Sequence, residues 1–550
     1  MKIRNFLLST IAFSGLATSV NAQLYNNGGT ITIQNNAYVF VTGEVINTAG
    51  TITNDGKLEV KGNFTNAATY NSTGAEDSLL LTGTGTAILN GGGTTINYLT
   101  INKTTIADIV KLGGNILVAK KLDFLGGTFT TDPLVNPTFA VVSPITAVYN
   151  FAPGAEIIGS VRRTGWLSGA ANVFNQPNML VTTNAGTAPT DVTVTMIPQT
   201  GGGDPTQIER EVTRSYKFAQ TGGSAFTADI RYPYLTTELN TNTEANLVPW
   251  KLIATEWNGL TAGSTRDVVN HFVNYTAIPA TDFVNEWKLA DPKYTFNVNA
   301  NLRGPWNGTT AMNTALNTAG IIPLAQPYNV TPFNYTGTET VATIPNANVV
   351  DWVLIELRKP LSGLAQDALS STITGRKVGF LLNNGTVVNL DGVTPINIDI
   401  AKQGSAFITI RHRNHLGVLS NAIPSNAAGT FTNDYTVLAN SYMASGAASS
   451  PMVLLAGATG KYGLWAGDAN KSGVVNGTDV SAIKSAIANS LTGYALTDVN
   501  LSSSINGTDV SLAKGTVAAS GSGSNPARPS TNTPIKVTKV FTNIPDPISE

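Results

Sequence analysis

The chain has 550 residues, enough for several domains, and 42% of them are hydrophobic, which provides for real cores and excludes wholesale disorder. Charged residues make up only 12% and the formal net charge is −1, so a nucleic-acid partner held by a basic surface is excluded. There is no cysteine, which removes disulfides and thiolate metal sites. Thr, Asn, Gly and Val fill the space left by Lys and Glu, and they suit strands and tight turns better than amphipathic surface helices.

The opening MKIRNFLLSTIAFSGLATSVNAQ predicts a secretory signal over residues 1–22. Lys2 and Arg4 form the positive end, Phe6 to Ala17 the apolar run, and Val20-Asn21-Ala22 the small-residue cleavage site, leaving Gln23 as the mature start. The alternative, a membrane anchor, needs a longer run. No cysteine follows the cleavage site, so a lipoprotein anchor is excluded, and no later stretch is apolar enough to span a bilayer. The expected location is outside the cell or on its surface.

Residues 23–150 are written in rungs. VFVTGEVIN from Val39 and LEVKGNFTN from Leu58 share apolar-x-Val-x-Gly-x-apolar-x-Asn at an offset of 19. LLLTGTGTA from Leu79 and LDFLGGTFT from Leu122 repeat the core of the pattern one and then two further periods on. Alternating polarity marks strands, and a period near 20 residues marks a solenoid in which each turn stacks on the last. The expectation is a β-helix or β-helix-like stack, with a sandwich of similar hairpins as the alternative. A solenoid leaves open edges at its ends that must be capped or paired.

Residues 151–295 and 296–460 read as two β-sandwich-like modules, so the chain as a whole is expected to be mainly β. DVTVTMIP and FTADIRYPY are strand-like, and FVNEWKLAD closes the first module with Trp287 as a core anchor. In EREVTRSYKF, Glu209, Arg210, Glu211 and Arg214 crowd together. Strand alternation puts the glutamates on one face and the arginines on the other, which predicts a solvated or cross-strand ion-pair face rather than a catalytic site. FITIRHRNHLGV reads as one strand with Ile408, Ile410, His412, Asn414, Leu416 and Val418 on one face, so His412 and Asn414 form a buried, hydrogen-bonded pair. His415 then points to the opposite face and cannot share an ion with His412.

These stretches, with IPLAQPY, VDWVLIELR and IRHRNHL, resemble modules of large secreted surface proteins of Bacteroidota, where solenoid repeats, a sandwich and a terminal calcium module occur together. The resemblance implies surface location and architecture of the adhesin or haemagglutinin-like type more than a particular activity.

The strongest chemical signal lies in residues 461–518. VNGTDVSAIK from Val475 returns thirty residues later as INGTDVSLAK from Ile505. Each copy ends a twelve-residue loop whose positions 1, 3, 5, 7, 9 and 12 are those that wrap one Ca²⁺ in oxygen. In the first loop these are Asp468, Asn470, Ser472, the Val474 carbonyl, Asn476 and Asp479; in the second, Asp498, Asn500, Ser502, the Ser504 carbonyl, Asn506 and Asp509. Val475 and Ile505 are the inward apolar residues at position 8, and helices follow with Val480, Ile483 and Ile487 on one face. Asx-rich turns with no ion are the alternative. The tandem loops resemble dockerin type I modules, which implies two Ca²⁺ sites and a cohesin-like partner. Ser503 stands where the bend at position 6 favours Gly, and each loop has only two carboxylates, so affinity is expected near 10⁻⁴ to about 10⁻³ M. The partner-contacting pairs are Gly477-Thr478 and Gly507-Thr508, a departure from cellulosomal dockerins. GDANKSG lacks the second Gly of a phosphate loop.

Residues 519–550 form a Gly/Ser/Pro linker followed by IKVTKVF, a strand that either pairs within its own subunit or joins another molecule's sheet edge. No G-x-S-x-G, H-E-x-x-H, P-loop or dinucleotide motif occurs. The expected function is that of a non-enzymatic structural or adhesive surface protein, self-associating or binding another surface protein, with a fibre as one outcome. The alternative is a scaffold-docked carbohydrate-active or glycan-binding protein.

Overall fold

The computed structural model describes residues 22–74, 77–198, 211–254, 256–400, 406–421, 429–443 and 450–519. The expected signal segment, except for Ala22, lies outside these residues, as do Glu209, Arg210 and the C-terminal strand IKVTKVF. The chain divides into two compact units, one made of residues 1–207 with 211–291 and the other of residues 208–210 with 292–550.

The first unit begins with a β-solenoid of about seven turns. Strands β1 (Leu24–Ile33) and β2 (Tyr38–Val41) form the first rung, and β3 (Val45–Asn54) and β4 (Lys57–Val60) the second. A third rung opens with β5 (Phe64–Asn66). All neighbouring rungs pair in parallel, Val39 on Leu58, Leu58 on Leu79, Leu79 on Leu99 and Leu99 on Leu122. The repeat therefore aligns the residues that the pattern aligned, and Leu99 fills the rung between Leu79 and Leu122. Period-two alternation turns Val41, Val60, Leu81, Ile101 and Phe124 inward as one buried column. Each such side chain contributes about 1.5–3 kcal/mol when fully buried.

A second, polar ladder runs through the same interior. Asn26 Nδ2 donates to Asn47 Oδ1 at 2.9 Å, Asn47 Nδ2 to Asn66 Oδ1 at 2.6 Å, and Asn66 Nδ2 to Thr94 Oγ1 at 2.6 Å. These amides are buried, and stacking lets each satisfy the next. Rung-to-rung contact also fixes a glycine: a Cβ on Gly50, at φ +89, would lie 2.2 Å from the Gly29 carbonyl oxygen.

At the far end the parallel stack converts to an antiparallel sheet. Strand Ile157–Thr164 pairs in parallel with Ala140–Pro144 and antiparallel with Asp191–Pro198, which pairs with Glu211–Thr221. A separate five-stranded sheet contains Leu180–Asn184, Thr227–Pro233 and Phe272–Pro279. Trp287 is fully buried, as expected, beside Tyr232. The described part of the charged cluster makes ion pairs, as expected, but buries them. Arg214 is buried and grips Glu156 and Glu238, at 2.7 and 2.8 Å, while Glu211 is buried against Lys288 at 2.7 Å. These are interior ion pairs, not a solvated face, because the strand is covered on both sides. Desolvated charges persist only when paired in this way.

The second unit centres on the antiparallel strand Val349–Arg358, buried along its whole length between Ile373–Leu382 and Phe407–His412. A three-stranded sheet, Ile396–Asp399, Lys293–Asn299 and Thr430–Asp434, supplies a further layer. Glu356 is buried among Arg358, Arg376 and Arg411, and these cations outweigh its desolvation and hold its carboxyl down to about 2. The last described elements of the unit are the helices Gly477–Ala488 and Gly507–Ala519.

Candidate metal centre

The two repeats fold into loops that match bond for bond. In the first, Asp468 Oδ1 accepts from the Ser472 N–H and Oδ2 from the Gly473 N–H, both at 2.9 Å. In the second, Asp498 accepts from the Ser502 and Ser503 N–H groups at 3.0 and 2.9 Å. Asp479 and Asp509 close their loops by accepting from the N–H groups of Asn470 and Asn476, and of Asn500 and Asn506. Asn476 caps the first helix and forms a capping box with Asp479, so the last loop residue also lies in the first turn of the helix. Ser472 Oγ donates to the Val474 carbonyl and Ser502 Oγ to the Ser504 carbonyl, each at 3.0 Å. The structure thus brings all twelve predicted residues into two equivalent loops.

The donor set of each loop is all oxygen: two carboxylates, two carboxamides, one hydroxyl and one main-chain carbonyl. That is the chemistry of a hard cation such as Ca²⁺. The electrostatics agree. Asp479, Asp498 and Asp509 are fully buried, and desolvation raises all three carboxyls despite the N–H groups that face them, Asp498 to about 6. A bound divalent ion would supply the compensating charge.

Backbone strain separates the loops. Gly473 sits at φ +74 and Ser503, its counterpart, at φ +69. A side chain in the left-handed region costs about 1–2 kcal/mol, so the expected defect of the second loop is present. Val475 is fully buried against Leu416 and Trp465, whereas Ile505 is half-buried. Ile487 departs from the expected inward face: it is exposed, and the buried helix residues are Asp479, Ile483 and Ala486.

The loops do not stand alone. Arg413-Asn414 is a hairpin turn between Phe407–His412 and His415–Leu419, so the stretch is two strands rather than one. This overturns the expectation that His412 and His415 face apart: the turn folds them together, with Nδ1 atoms 3.1 Å from each other. The partners assign the tautomers. Gly304 N–H donates to His415 Nε2, so His415 Nδ1–H donates to His412 Nδ1, and His412 Nε2–H donates to Asp351 Oδ2 at 3.2 Å. Burial lowers both imidazole pKa values, consistent with this neutral relay. The side chain of Asn414 pairs with His415 rather than with His412 as expected, its Oδ1 lying 2.9 Å from His415 Nδ1, because the turn brings His415 beside it.

The turn grips the calcium-loop region at both repeats. The Asn414 carbonyl accepts from the Gly467 and Asp468 N–H groups, and its side-chain amide donates to the carbonyls of Leu496 and Asp498. Arg413 donates to Asp351 Oδ2 at 2.8 Å and to the Ala495 carbonyl, and lies 4.0 Å over the Tyr494 ring, whose hydroxyl donates to Asp351 Oδ1. From the other side, Arg303 donates to Thr516 Oγ1 at 3.1 Å. A Cβ on Gly304 would lie 2.0 Å from the Val499 carbonyl oxygen, so only glycine permits this approach. Asp351, Arg413 and Tyr494 were not singled out from sequence; the density of polar residues in RHRNH was the available signal.

Residues 466–518 match the model of the dockerin type I domain. Dockerin type I domains bind calcium, in keeping with the donor set of the loops. No curated protein and no solved structure matches the chain. Among the described residues no helix is long and apolar enough to cross a membrane.

Proposed function

We propose that this is an extracellular, calcium-dependent docking protein, in which residues 466–518 hold two Ca²⁺ ions and bind a cohesin-like receptor while the β-rich remainder is the displayed cargo. The dockerin match carries the reading. The duplicated surface supports it: Gly477, Thr478, Ser481 and Lys484 are exposed on the first helix, and Gly507, Thr508, Ser511 and Lys514 on the second, thirty residues apart at every position. Small and hydroxyl side chains flanked by one lysine favour a receptor face of matching polarity rather than a nucleic acid or a membrane.

For the cargo we propose a non-enzymatic, structural or adhesive role at the cell surface, in line with the Bacteroidota-type resemblance. Its support is that several interior carboxylates are held in structural ion pairs: Glu156 and Glu238 with Arg214, Glu211 with Lys288, Glu356 with Arg411, and Asp351 with Arg413. The test is calorimetric titration of the full chain with cohesin modules from scaffold proteins, in calcium and in EGTA. Binding in calcium that is lost in EGTA and in Asp468→Ala with Asp498→Ala supports docking. No binding across the panel overturns it, and polysaccharide hydrolysis by the purified chain overturns the non-enzymatic role.

A further inference from the structure

The solenoid carries aromatic rings on a face that turns to solvent. On β2 and β4 the side chains of Val41, Leu58 and Val60 point inward, so period-two alternation sends Tyr38, Phe40, Lys57 and Glu59 outward. Tyr38 is 57% exposed and Phe40 44%. The register sets Tyr38 directly beside Lys57 and Phe40 beside Glu59.

The two rings are not equivalent. Phe40 already lies under a cation, with Lys61 Nζ 5.0 Å from its centroid. Tyr38 is anchored instead at its hydroxyl, which donates to Glu59 Oε2, and Glu59 Oε1 in turn accepts from Thr82 Oγ1 at 2.6 Å. A ring anchored in this way gives up little freedom when a ligand covers it. Beside it opens a cleft of about 420 Å³, lined by Asn36, Ala37, Tyr38, Gly56 and Lys57. That volume lies in the range of small-molecule sites. Among the described residues the side chains of Asn36 and Lys57 make no hydrogen bond or ion pair, so an amide and an ammonium group at the cleft are open to a ligand.

These features select the chemistry of the occupant. Lys57 and Lys61 are matched by Asp55 and Glu59, so there is no surplus of positive charge to draw an anionic polymer. An apolar peptide needs a mainly apolar groove, whereas this cleft offers one ring among small and polar side chains. A neutral saccharide fits both halves. Its C–H face covers an aromatic ring, and its hydroxyls bond to amide and ammonium groups. We propose that the cleft beside Tyr38 binds a neutral saccharide, with one sugar ring on the tyrosine and its hydroxyls on Asn36 and Lys57. The proposal rests on the adhesive reading of the cargo and names the class of ligand.

The test is retention of the full-length chain, in calcium, on immobilised mannan, xylan and β-glucan, with polygalacturonate as the anionic comparison. The expected result is retention on at least one neutral polysaccharide, competed by its soluble oligosaccharide, and about tenfold weaker in Tyr38→Ala. Tyr38→Phe keeps the ring and should stay close to the native value. So should Tyr25→Ala, which removes a ring 55% exposed on β1, a strand that pairs with β3 instead of β4. Unchanged melting temperatures show that the variants fold. No retention on the neutral polymers, retention on polygalacturonate alone, or an equal loss from Tyr25→Ala or Tyr38→Phe overturns the proposal. Adhesion to whole cells is read on the same variants. Adhesion that Tyr38→Ala leaves intact, without retention on the neutral polymers, overturns this site while the adhesive reading stands.

Discussion

The side-chain amide of Asn414 donates to the main-chain carbonyl of Asp498 at 2.8 Å, joining a β-hairpin turn to the first residue of the second acidic loop. The main-chain carbonyl of the same residue accepts from Asp468, the first position of the other loop. One residue therefore contacts the start of both loops, and the state of the loops is felt in the sheet that carries the turn.

Chelation is expected to loosen the turn as well as the loops. Binding energy in such modules is folding energy, so EGTA should lower the melting temperature of the full chain. Hydrogen exchange should rise first in residues 466–519 and then at residues 412–415. An unchanged melting temperature in EGTA would remove the calcium reading.

Asn414→Ala leaves the Leu496 and Asp498 carbonyls without this donor. A buried polar group that loses its partner costs about 1–3 kcal/mol. The expected signature is a weaker second site with the first helix still folded, read by titration and circular dichroism. Retention of both affinities would show that the contact is incidental.

Ser503→Gly relieves the left-handed strain at φ +69. The gain should be about 1 kcal/mol, or roughly fivefold in affinity of the second loop. It is best measured in the Asp468→Ala background, where only the second loop binds. Equal affinities of the native loops, each measured with the other disabled, would count against strain as the difference.

Stability should fall as pH drops below about 6.5, the ordinary imidazole value. His412 and His415 are held neutral by burial, with pKa values below that of the unfolded chain. The unfolded state therefore takes up protons that the folded state refuses, and acid favours unfolding. Asp351 adds a second loss at lower pH: Arg413 leads the groups that overcome its desolvation and hold it at about 2, so its stabilisation fades as pH falls from about 4 toward 2. Melting curves between pH 7.5 and 5.5 should show a slope that His415→Gln reduces.

Much of this was legible because two physical codes are local. Period-two alternation with a repeat near 20 placed Val39, Leu58 and Leu79 in one column, and loop spacing placed the twelve candidate residues in two equivalent loops. What escaped depended on contacts distant in sequence. Strand alternation allowed Arg214 a solvated face or an ion pair but could not name its partners, because Glu156 and Glu238 lie 58 and 24 residues away and enclose it. RHRNH looked like strand because its flanks alternate; the turn at Arg413 and Asn414 is dictated by Asp351 and by loop carbonyls more than 80 residues downstream. Ile487 fitted a helical face, but it is exposed, and Ala486 takes the buried place.

The grip of Arg413, Asn414 and Arg303 has a mechanical side. A receptor pulling on the helices of residues 466–518 would load the hairpin turn directly. From there the force passes through Asp351 into Val349–Arg358, the middle strand of its sheet, rather than into a slack tether. Tension would be shared among several short polar bonds around one buried carboxylate. Single-molecule pulling should therefore show the helices detaching from the sheet as a discrete rupture, at lower force once Arg413 is replaced by alanine.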